Sequence, residues 1–440
     1  KNFTPKFLLC DKALPACQLD IYTFDKKSPY WLLNNFKKSM NCALCYKPAK
    51  NILSKIGKVF LVSDFYNPNE LINLDNDNIN ANNINIKKLQ KTKYKGIAVG
   101  EHAYAGALRY LTVGELSNSK NDKEIFLKFF NASVIFTNSL INLLKKNKID
   151  IIICNHGIYV PHGLTVQVAK LYNIKVFAWN LAYRSGCFIF SKNDTYHHTL
   201  IDDPYKWDQI SLDNDKTDKI KKYLLSRKTG ELDWLTFQKR KNKSEIAISE
   251  LNKLKKDYKF VVTLLTNVVW DAQVHYPQNA FKSILDWLYT TIEFFSNQTD
   301  TLLLIRIHPA EARGVIPARQ KAYDEIVKKF KKIPQNIKIF QPEDRVLSYD
   351  CIDISNVCII YGTKMGVEIA PKNIPIIVAG EAWIKNKGMT YDPLNKDEYI
   401  SLLKNIKNLK PKLNQDIKGL KYAYYFFFIK SINLSYFKYI

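Results

Sequence analysis

Short apolar runs alternate with amphipathic segments along the first half of the chain. The runs are rich in Val and Ile and most are followed by polar turns; they are KFLLC (6–10), KVFLVS (58–63), KGIAVG (95–100), IDIIIC (149–154) and IKVFAW (174–179). Helical spacing of apolar residues marks the segments 102–115, 122–147 and 162–173. Near-continuous apolar strands that alternate with helices predict a parallel sheet covered on both faces.

A second series of the same kind occupies the C-terminal half. Its predicted strands are KFVVTLL (259–265), TLLLIRI (301–307), NIKIF (336–340), VCIIY (357–361) and IPIIVA (374–379), and its predicted helices lie around 278–297, 317–332 and 363–370. Between the two series lies the most charged stretch, residues 208–258, which predicts solvated helix joining two domains. The chain is therefore predicted to be an α/β protein with two Rossmann-like, doubly wound domains facing each other across a cleft, a GT-B-like architecture.

This pattern divides the chain into four predicted segments. They are a first Rossmann-like domain over 1–210, a charged helical linker over 211–258, a second Rossmann-like domain over 259–400, and a helical, aromatic tail over 401–440. The end of the tail, KYAYYFFFIKSINLSYFKYI (421–440), mixes aromatic residues with Lys. Two interpretations stay open: a terminal helix packed on the body, which we favour, or a segment that lies on a membrane surface.

The charge balance is strongly basic. The 440 residues include 66 Lys and Arg against 41 Asp and Glu, a net charge of +25, so the surface attracts polyanions such as an acidic glycan or an anionic membrane. Codon usage in an AT-rich genome can produce the same excess of Lys. No nucleic-acid-binding motif is recognised, and nucleic acid is not a predicted partner. No run of 18 apolar residues occurs and no signal peptide is visible, so we predict no transmembrane helix and take a cytoplasmic location as the default.

The sharpest motif is RIHPAE (306–311), directly after an apolar strand. Pro309 cannot donate to a sheet and ends the strand, which places His308 at its carboxyl edge. An imidazole there can donate a hydrogen bond to a phosphate or carry a proton to a leaving group, and Arg306 can add positive charge. The alternative is a histidine that caps a turn.

A second motif, YGTKMGVEIA (361–370), also follows a strand. Gly362 permits close approach of the backbone, and Thr363 is an N-cap candidate for a helix whose N-terminus can bind a phosphate. Lys364 adds charge, and Glu368 can accept hydrogen bonds from ribose hydroxyls. The alternative is an ordinary turn between a strand and a helix.

A third segment, LTNVVWDAQ (265–273), offers Thr266, Asn267 and Asp271 after another strand. Taken alone, it fits a turn with Asp as a helix cap equally well. Because the carboxyl ends of parallel strands meet at one edge, the three segments are predicted to face a single crevice.

RIHPAE, YGTKMGVE and IPIIVAGEAWIKNKGMTY together resemble bacterial capsule polysaccharide biosynthesis proteins, most clearly over 258–400. Those proteins are similar to GT-B sugar transferases, including Kdo- and sialic-acid-type enzymes with a His-Pro motif. The resemblance implies that His308 binds or protonates the donor phosphate and that Thr363, Gly366 and Glu368 hold the nucleotide. Tyr361-Gly362-Thr363 departs from the Ser or Thr pairs of the sialyltransferase-like turn, which leaves the nucleotide open. The predicted donor-binding residues are Arg306, Pro309, Thr266, Asn267, Gly362, Thr363, Lys364, Gly366 and Glu368.

Two segments of the N-terminal half carry acceptor-side candidates. NHGIYVPHG (155–163) and GEHAYAGALRY (100–110) each follow a predicted strand. An inverting transferase needs a base that deprotonates the attacking hydroxyl, and the candidates are Glu101, His156 and His162. Arg109 and Arg184 can hold an acidic acceptor or a donor carboxylate. A loop or cap role is the alternative for each of these residues.

Metal binding is considered at two kinds of sequence pattern. Cysteines in two pairs, Cys10 with Cys17 and Cys42 with Cys45, can complete a tetrahedral structural zinc site, the second pair as a CxxC. The DxD-like spacings Asp75/Asp77 and Asp213/Asp215 lie in polar segments and are interpreted as solvated loops. Catalysis is predicted to require no cofactor.

The sequence thus predicts a glycosyltransferase that moves a sugar from a nucleotide-sugar donor onto a capsule or lipopolysaccharide-type glycan or glycolipid. The alternatives are a nucleotide-sugar epimerase or hydrolase on the same fold, and a non-enzymatic basic protein that binds a membrane or a polyanion. Peripheral binding at the inner membrane remains an open addition to the cytoplasmic default.

Overall fold

The chain forms two compact α/β units. The computed structural model describes residues 3–18, 38–68, 84–195, 198, 206–234, 245–271, 278–313 and 318–434. The first unit comprises Lys1–Trp179 with Ser191–Thr195, and the second comprises Asn180–Phe190 with Tyr196–Ile440. Each contains parallel β-structure and helices, which confirms the predicted α/β class with Rossmann-like halves. The division near residue 180 differs from the predicted boundary at 210.

Parallel strand pairs form the sheet structure of the first unit. Strand β1 (Lys6–Leu9) pairs with β2 (Lys58–Leu61), and β3 (Ile151–Asn155) pairs with β4 (Lys175–Leu181) in the register Ile151↔Lys175. The helices are α1 (Lys38–Leu53), α2 (Ile86–Gln90), α3 (Val99–Leu111), α4 (Lys120–Lys146) and α5 (His162–Leu171). The predicted helices over 102–115, 122–147 and 162–173 are thereby confirmed within a few residues.

The predicted strand KGIAVG (95–100) is wrong. Lys95 and Gly96 have positive φ and form a turn, which is closed by reciprocal backbone hydrogen bonds between Tyr94 and Ile97. Helix α3 then begins at Val99. Four apolar or small residues after a Gly are too short a run to distinguish a strand from the first turn of a buried helix.

Helix α4 is the central core helix of the first unit. By length and composition it is apolar enough to cross a membrane, which the absence of an uninterrupted apolar run did not predict. However, 72% of its most apolar window is buried, and the helix packs along α3. Ser119 caps its N-terminus by accepting from the Asp122 N–H at 3.2 Å.

A five-stranded, all-parallel sheet forms the centre of the second unit. Its strands are β6 (Phe260–Leu265), β7 (Thr301–Arg306), β8 (Ile337–Phe340), β9 (Val357–Ile360) and β10 (Ile376–Val378), in the order β10-β9-β6-β7-β8. All five strands were predicted. Every residue of β7 is buried, as expected for a strand covered on both faces.

The remaining helices and strands belong to or border the second unit. They are β5 (Cys187–Lys192), α6 (Asn214–Ser226), α7 (Glu245–Lys256), α8 (Ile284–Phe295), α9 (Ala310–Arg313), α10 (Ala322–Lys329), α11 (Ser348–Asp353), α12 (Met365–Ile369), α13 (Lys396–Lys404), α14 (Gln415–Tyr424) and β11 (Ser431–Asn433), with a π-helical turn at Tyr425–Ile429. Strand β11 pairs antiparallel with β5.

Two helices in the charged stretch, α6 and α7, each bury part of one side in the second unit. Ile220 and Tyr223 of α6 are buried in the second unit's core, and Ala247 and Leu251 of α7 are buried in a neighbouring cluster. Lys219, Lys221 and Lys222 of α6 are exposed, so this helix is amphipathic, with an apolar side that packs on the unit and lysines that face solvent. That the stretch links two domains stays a prediction. Asp213 caps α6 by accepting the Lys216 N–H at 2.8 Å, while Asp75 and Asp77 lie outside the described residues.

The aromatic tail packs on the body of the second unit, the alternative favoured from the sequence. Tyr422, Phe426 and Phe427 are fully buried, and the Phe426 ring lies 4.9 Å from that of Trp383. Residues 435–440 lie outside the described part of the tail.

This packing predicts that Phe426→Ala lowers the free energy of unfolding by about 3 kcal/mol, because the ring leaves a cavity in a closed core. Phe3→Ala is the matched control, since Phe3 is 77% exposed and should cost far less. Urea denaturation of both variants measures the difference. Equal stability of the two would contradict the packed arrangement of the tail.

Candidate functional site

The candidate site lies where the strand order of the second unit reverses. The chain runs from β6 outward to β7 and β8, then returns to β9 on the other side of β6. Loops leaving β6 and β9 therefore diverge at this switch point, where doubly wound sheets bind ligands. Asn267, after β6, accepts the Gly362 N–H through Oδ1 at 3.1 Å, and this bond ties the two loops together.

His308 follows β7 and is fixed on two sides. Its backbone N–H donates to Thr266 Oγ1 at 2.9 Å, and its Nδ1 accepts the Ala310 N–H at 3.1 Å. Since Nδ1 is an acceptor, this hydrogen-bond network assigns the proton of the neutral ring to Nε2. Burial, with the nearby charges of Lys364 and Arg306, lowers the pKa of His308 to about 4. At neutral pH the side chain is therefore an uncharged hydrogen-bond donor through Nε2.

Lys364 lies in the turn between β9 and α12. Its Nζ donates to Glu368 Oε1 at 2.8 Å and lies 4.4 Å from the ring centroid of Tyr183. The side chain is 15% exposed, and burial together with the charge of Arg227 lowers the pKa of Lys364. Its influence on the pKa of His308 places the two side chains in one electrostatic neighbourhood. Together they offer two donor groups to an anion.

Lys364 belongs to a buried ionic cluster. We call it the Glu368 cluster; its members are Arg227, Asp233, Tyr349, Lys364 and Glu368. Besides Lys364, Glu368 accepts from Arg227 at 3.2 Å through Oε1 and from the Tyr349 hydroxyl at 2.6 Å through Oε2. Arg227 also pairs with Asp233. Burial opposes ionisation of Glu368, yet Arg227 and Lys364 outweigh it and lower its pKa to about 2.

Several predicted donor-binding residues have structural partners in this unit. Thr363 accepts the Met365 N–H at 3.3 Å, and a Cβ on Gly366 would lie 2.6 Å from Ile384 Cγ2, so this glycine permits close packing of α12. Pro309 is buried directly after β7, at the turn it was predicted to form. The prediction that these residues hold a nucleotide stays a prediction.

Arg306 is buried beneath the edge of the sheet. Its guanidinium donates to the carbonyls of Ile307 at 3.1 Å, Phe340 at 3.3 Å and Pro342 at 3.2 Å, and also to Gln341. These contacts fix the loop after β8. That Arg306 contacts a donor stays a prediction, and so does the binding of a ribose by Glu368.

Glu311, the last residue of RIHPAE, is a buried carboxylic acid. It is 1% exposed, its Oε2 accepts the Ala322 N–H at 3.0 Å, and its Oε1 has no partner among the described residues. Its backbone N–H donates to the His308 carbonyl at 3.0 Å. Burial raises the pKa of Glu311 to about 7. The group therefore links the His308 turn to the start of α10 and is sensitive to pH.

The acceptor-side candidates of the first unit come together in part. The Tyr159 hydroxyl accepts from Arg109 at 3.3 Å, and the Tyr159 ring lies 5.5 Å from that of His156. His156 and Tyr159 both have left-handed backbone conformations, which are strained for such residues. Burial lowers the pKa of His162 to about 4. Glu101 is half-buried in the first turn of α3, the helix that also carries Arg109.

Arg184 does not belong with this group. Its Nε donates to the Phe427 carbonyl at 3.2 Å, and its guanidinium lies 4.8 Å from the Phe428 ring, within the second unit. Its predicted contact with an acidic acceptor or a donor carboxylate stays a prediction. The chain enters the second unit at Asn180, before the charged stretch that suggested the boundary.

The four N-terminal cysteines form no disulfide in the structure. Burial and the neighbouring Cys10 raise the pKa of Cys45, which places these two near each other. Across the described ranges, no group of three or more His, Cys, Asp or Glu side chains is arranged to hold a metal ion. The structural zinc at Cys10, Cys17, Cys42 and Cys45 stays a prediction that metal analysis of the purified protein tests.

Sequence reasoning missed the residues that surround Lys364. Arg227, Asp233, Tyr183 and Tyr349 were not among the candidates, although they meet at the predicted edge. One signal was available for Arg227. It follows Ile220 and Tyr223 at a spacing of seven and four residues, so it lies on the apolar side of a helix where an arginine needs a buried partner.

No protein-family model and no curated protein matches the chain. Among solved structures it is similar to the Thermosulfurimonas dismutans KpsC beta Kdo 2,4 transferase (11% identity, TM-score 0.34, covering 60% of this chain and 76% of that one). It is also similar to the KpsC beta Kdo 2,7 transferase of that organism (13%, 0.37, 65% and 79%). A UDP-GlcNAc 2-epimerase from Neisseria meningitidis bound to UDP-GlcNAc is a further neighbour (13%, 0.27, 67% and 76%).

The buried Glu311 predicts a pH-dependent stability. Its pKa is higher in the folded than in the unfolded chain, so the folded state holds the proton more tightly and stability falls as the pH rises through the range 4.5 to 7. The raised pKa corresponds to about 3 kcal/mol. Glu311→Gln removes the titrating group. Between pH 4 and pH 9, the unfolding free energy of the wild type should therefore fall by that amount relative to that of the variant. Parallel pH profiles of the two proteins would contradict the assignment.

Proposed function

We propose that the protein is a glycosyltransferase whose second unit binds a nucleotide-sugar donor through its phosphate. The observation that carries the proposal is the convergence of His308, Lys364 and the Asn267–Gly362 tie at the switch point of the five-stranded sheet. Lys364 supplies an ammonium at this edge, and His308, whose Nδ1 accepts from Ala310, carries its proton on Nε2. A phosphate oxygen is the complementary group.

The same geometry suggests how the second unit assists the reaction. As the bond from the sugar to the phosphate breaks, negative charge develops on the phosphate oxygens. The Lys364 ammonium and the Nε2–H of His308 stabilise this charge, and because both are held by other residues they need little rearrangement. With its pKa near 4, His308 acts as a hydrogen-bond donor rather than as a proton donor.

The nature of the acceptor is proposed from the sequence resemblance to capsule polysaccharide biosynthesis proteins. Arg109, backed by Tyr159, supports binding of an acidic glycan by the first unit. Glu101, His156 and His162 remain the candidates for the base that deprotonates the acceptor hydroxyl. The net charge of +25 favours acidic surfaces and acidic glycans alike. A cytoplasmic location, with or without contact to the inner membrane, is part of this proposal.

Donor binding predicts a selective effect of Lys364→Met. UDP- and CMP-sugars should raise the melting temperature of the wild type, because a ligand that binds only the folded state stabilises it, and the variant should lose most of this shift. Lys372→Met is the matched control, since Lys372 pairs with Asp353 at the surface of the same unit and should leave the shift intact. Equal shifts in both variants would place the phosphate elsewhere.

Turnover predicts a graded series at position 308. His308→Ala should lower transfer at least about 100-fold, the size of one oxyanion-stabilising donor. His308→Gln should recover part of the rate, since its amide can donate from near the Nε2 position. Product analysis with and without a glycan acceptor is the measurement. Equal loss in the two variants would indicate proton transfer by His308, and sugar turnover without an acceptor would indicate the epimerase or hydrolase alternative.

A further inference from the structure

The Glu368 cluster surrounds a carboxylate that three donors share. Arg227 and Lys364 both donate to Oε1, at 3.2 and 2.8 Å, and the Tyr349 hydroxyl donates to Oε2 at 2.6 Å. The side chains of Arg227 and Glu368 are 5% and 3% exposed. In such surroundings, each charged group must keep its partner, because an unpaired charge is costly to bury.

Arg227 affects how many N–H groups of the Lys364 ammonium remain available for a ligand. An ammonium carries three N–H groups, and among the described residues the Lys364 Nζ donates only to Glu368. If Lys364 were the only cation beside Glu368, the two side chains would form a simple ion pair, and the carboxylate alone would determine the position of the ammonium. Arg227 supplies a second cation and brings Asp233 as its own counterion, so the cluster contains two positive and two negative charges.

The Tyr183 ring also restricts the position of Lys364. The ring centroid of Tyr183 lies 4.4 Å from Lys364 Nζ and 5.1 Å from the Arg227 guanidinium carbon. Both cations therefore face one aromatic ring, which attracts them and limits where each can move. Glu368 and Tyr183 thus both restrict the position of the ammonium.

From these contacts we infer that Arg227 is a positioning residue of the anion site: by sharing Glu368 it holds the Lys364 ammonium in place with two N–H groups left for a phosphate. The inference rests on the proposed phosphate site, but not on the identity of the sugar or on group transfer. Arg227 itself makes no contact with the ligand in this account.

A double-mutant cycle with inorganic pyrophosphate as the probe tests the inference. Arg227→Lys keeps the positive charge but loses the planar fork that reaches Asp233 and Glu368 together. Calorimetric titration should show about a tenfold weaker affinity for pyrophosphate in the variant, and less than a twofold effect when the same change is made in a Lys364→Met background. Lys216→Met, a surface change on the same helix, should leave the affinity unchanged in both backgrounds.

Equal losses in the two backgrounds would overturn the inference, because Arg227 would then act independently of Lys364. Tyr349→Phe is the second route if Arg227→Lys does not fold, since it removes one hydroxyl bond to Glu368; its effect on pyrophosphate affinity should likewise vanish with Lys364→Met. Wild-type protein that fails to bind pyrophosphate would also overturn the inference. Coupled binding of pyrophosphate without binding of any nucleotide sugar would uphold it and reject the proposed function instead.

Discussion

A buried carboxylate is the constraint on which the second unit's site depends. Glu368 is ionised, removed from water and satisfied by donors from three separate parts of the chain: the end of α6, α11 and the turn after β9. A charge in such a place is tolerated only when its partners are fixed, so the cluster orders the segments that supply them. The lysine at its edge is thereby oriented by the protein before any ligand arrives.

The second determinant is the strand order. Reversal between β6 and β9 opens the sheet edge at the point where Asn267 and Gly362 are bonded, and β7 delivers His308 beside it. His308 carries its proton on Nε2 because the Ala310 N–H occupies Nδ1. The site therefore combines a neutral hydrogen-bond donor, His308, with a cation, Lys364, whose charge contributes to the low pKa of His308.

The sequence was sufficient for the parts of this arrangement that depend on local pattern. All five strands of the second sheet follow from apolar runs, and His308 and Lys364 follow from the turns that end β7 and β9. The sequence was insufficient where contacts between residues far apart in the chain determine the role of a side chain. Arg227 sits among lysines in a stretch that composition assigns to solvent, and only its burial against Glu368 gives it a role. The turn at Lys95–Gly96 likewise depends on how α3 docks, which a short apolar run does not encode.

The most direct test of the account is the state of one imidazole. Nitrogen-15 NMR of the histidine rings, with His308 assigned by the loss of its signals in His308→Gln, measures its tautomer and its response to pyrophosphate. We expect a neutral ring with its proton on Nε2 and a pKa near 4 in the free protein, and a marked shift of the Nε2 resonance when pyrophosphate is added. A ring protonated at Nδ1, or an Nε2 resonance that saturating pyrophosphate leaves unmoved, would contradict the central claim that phosphate binds at this edge of the sheet.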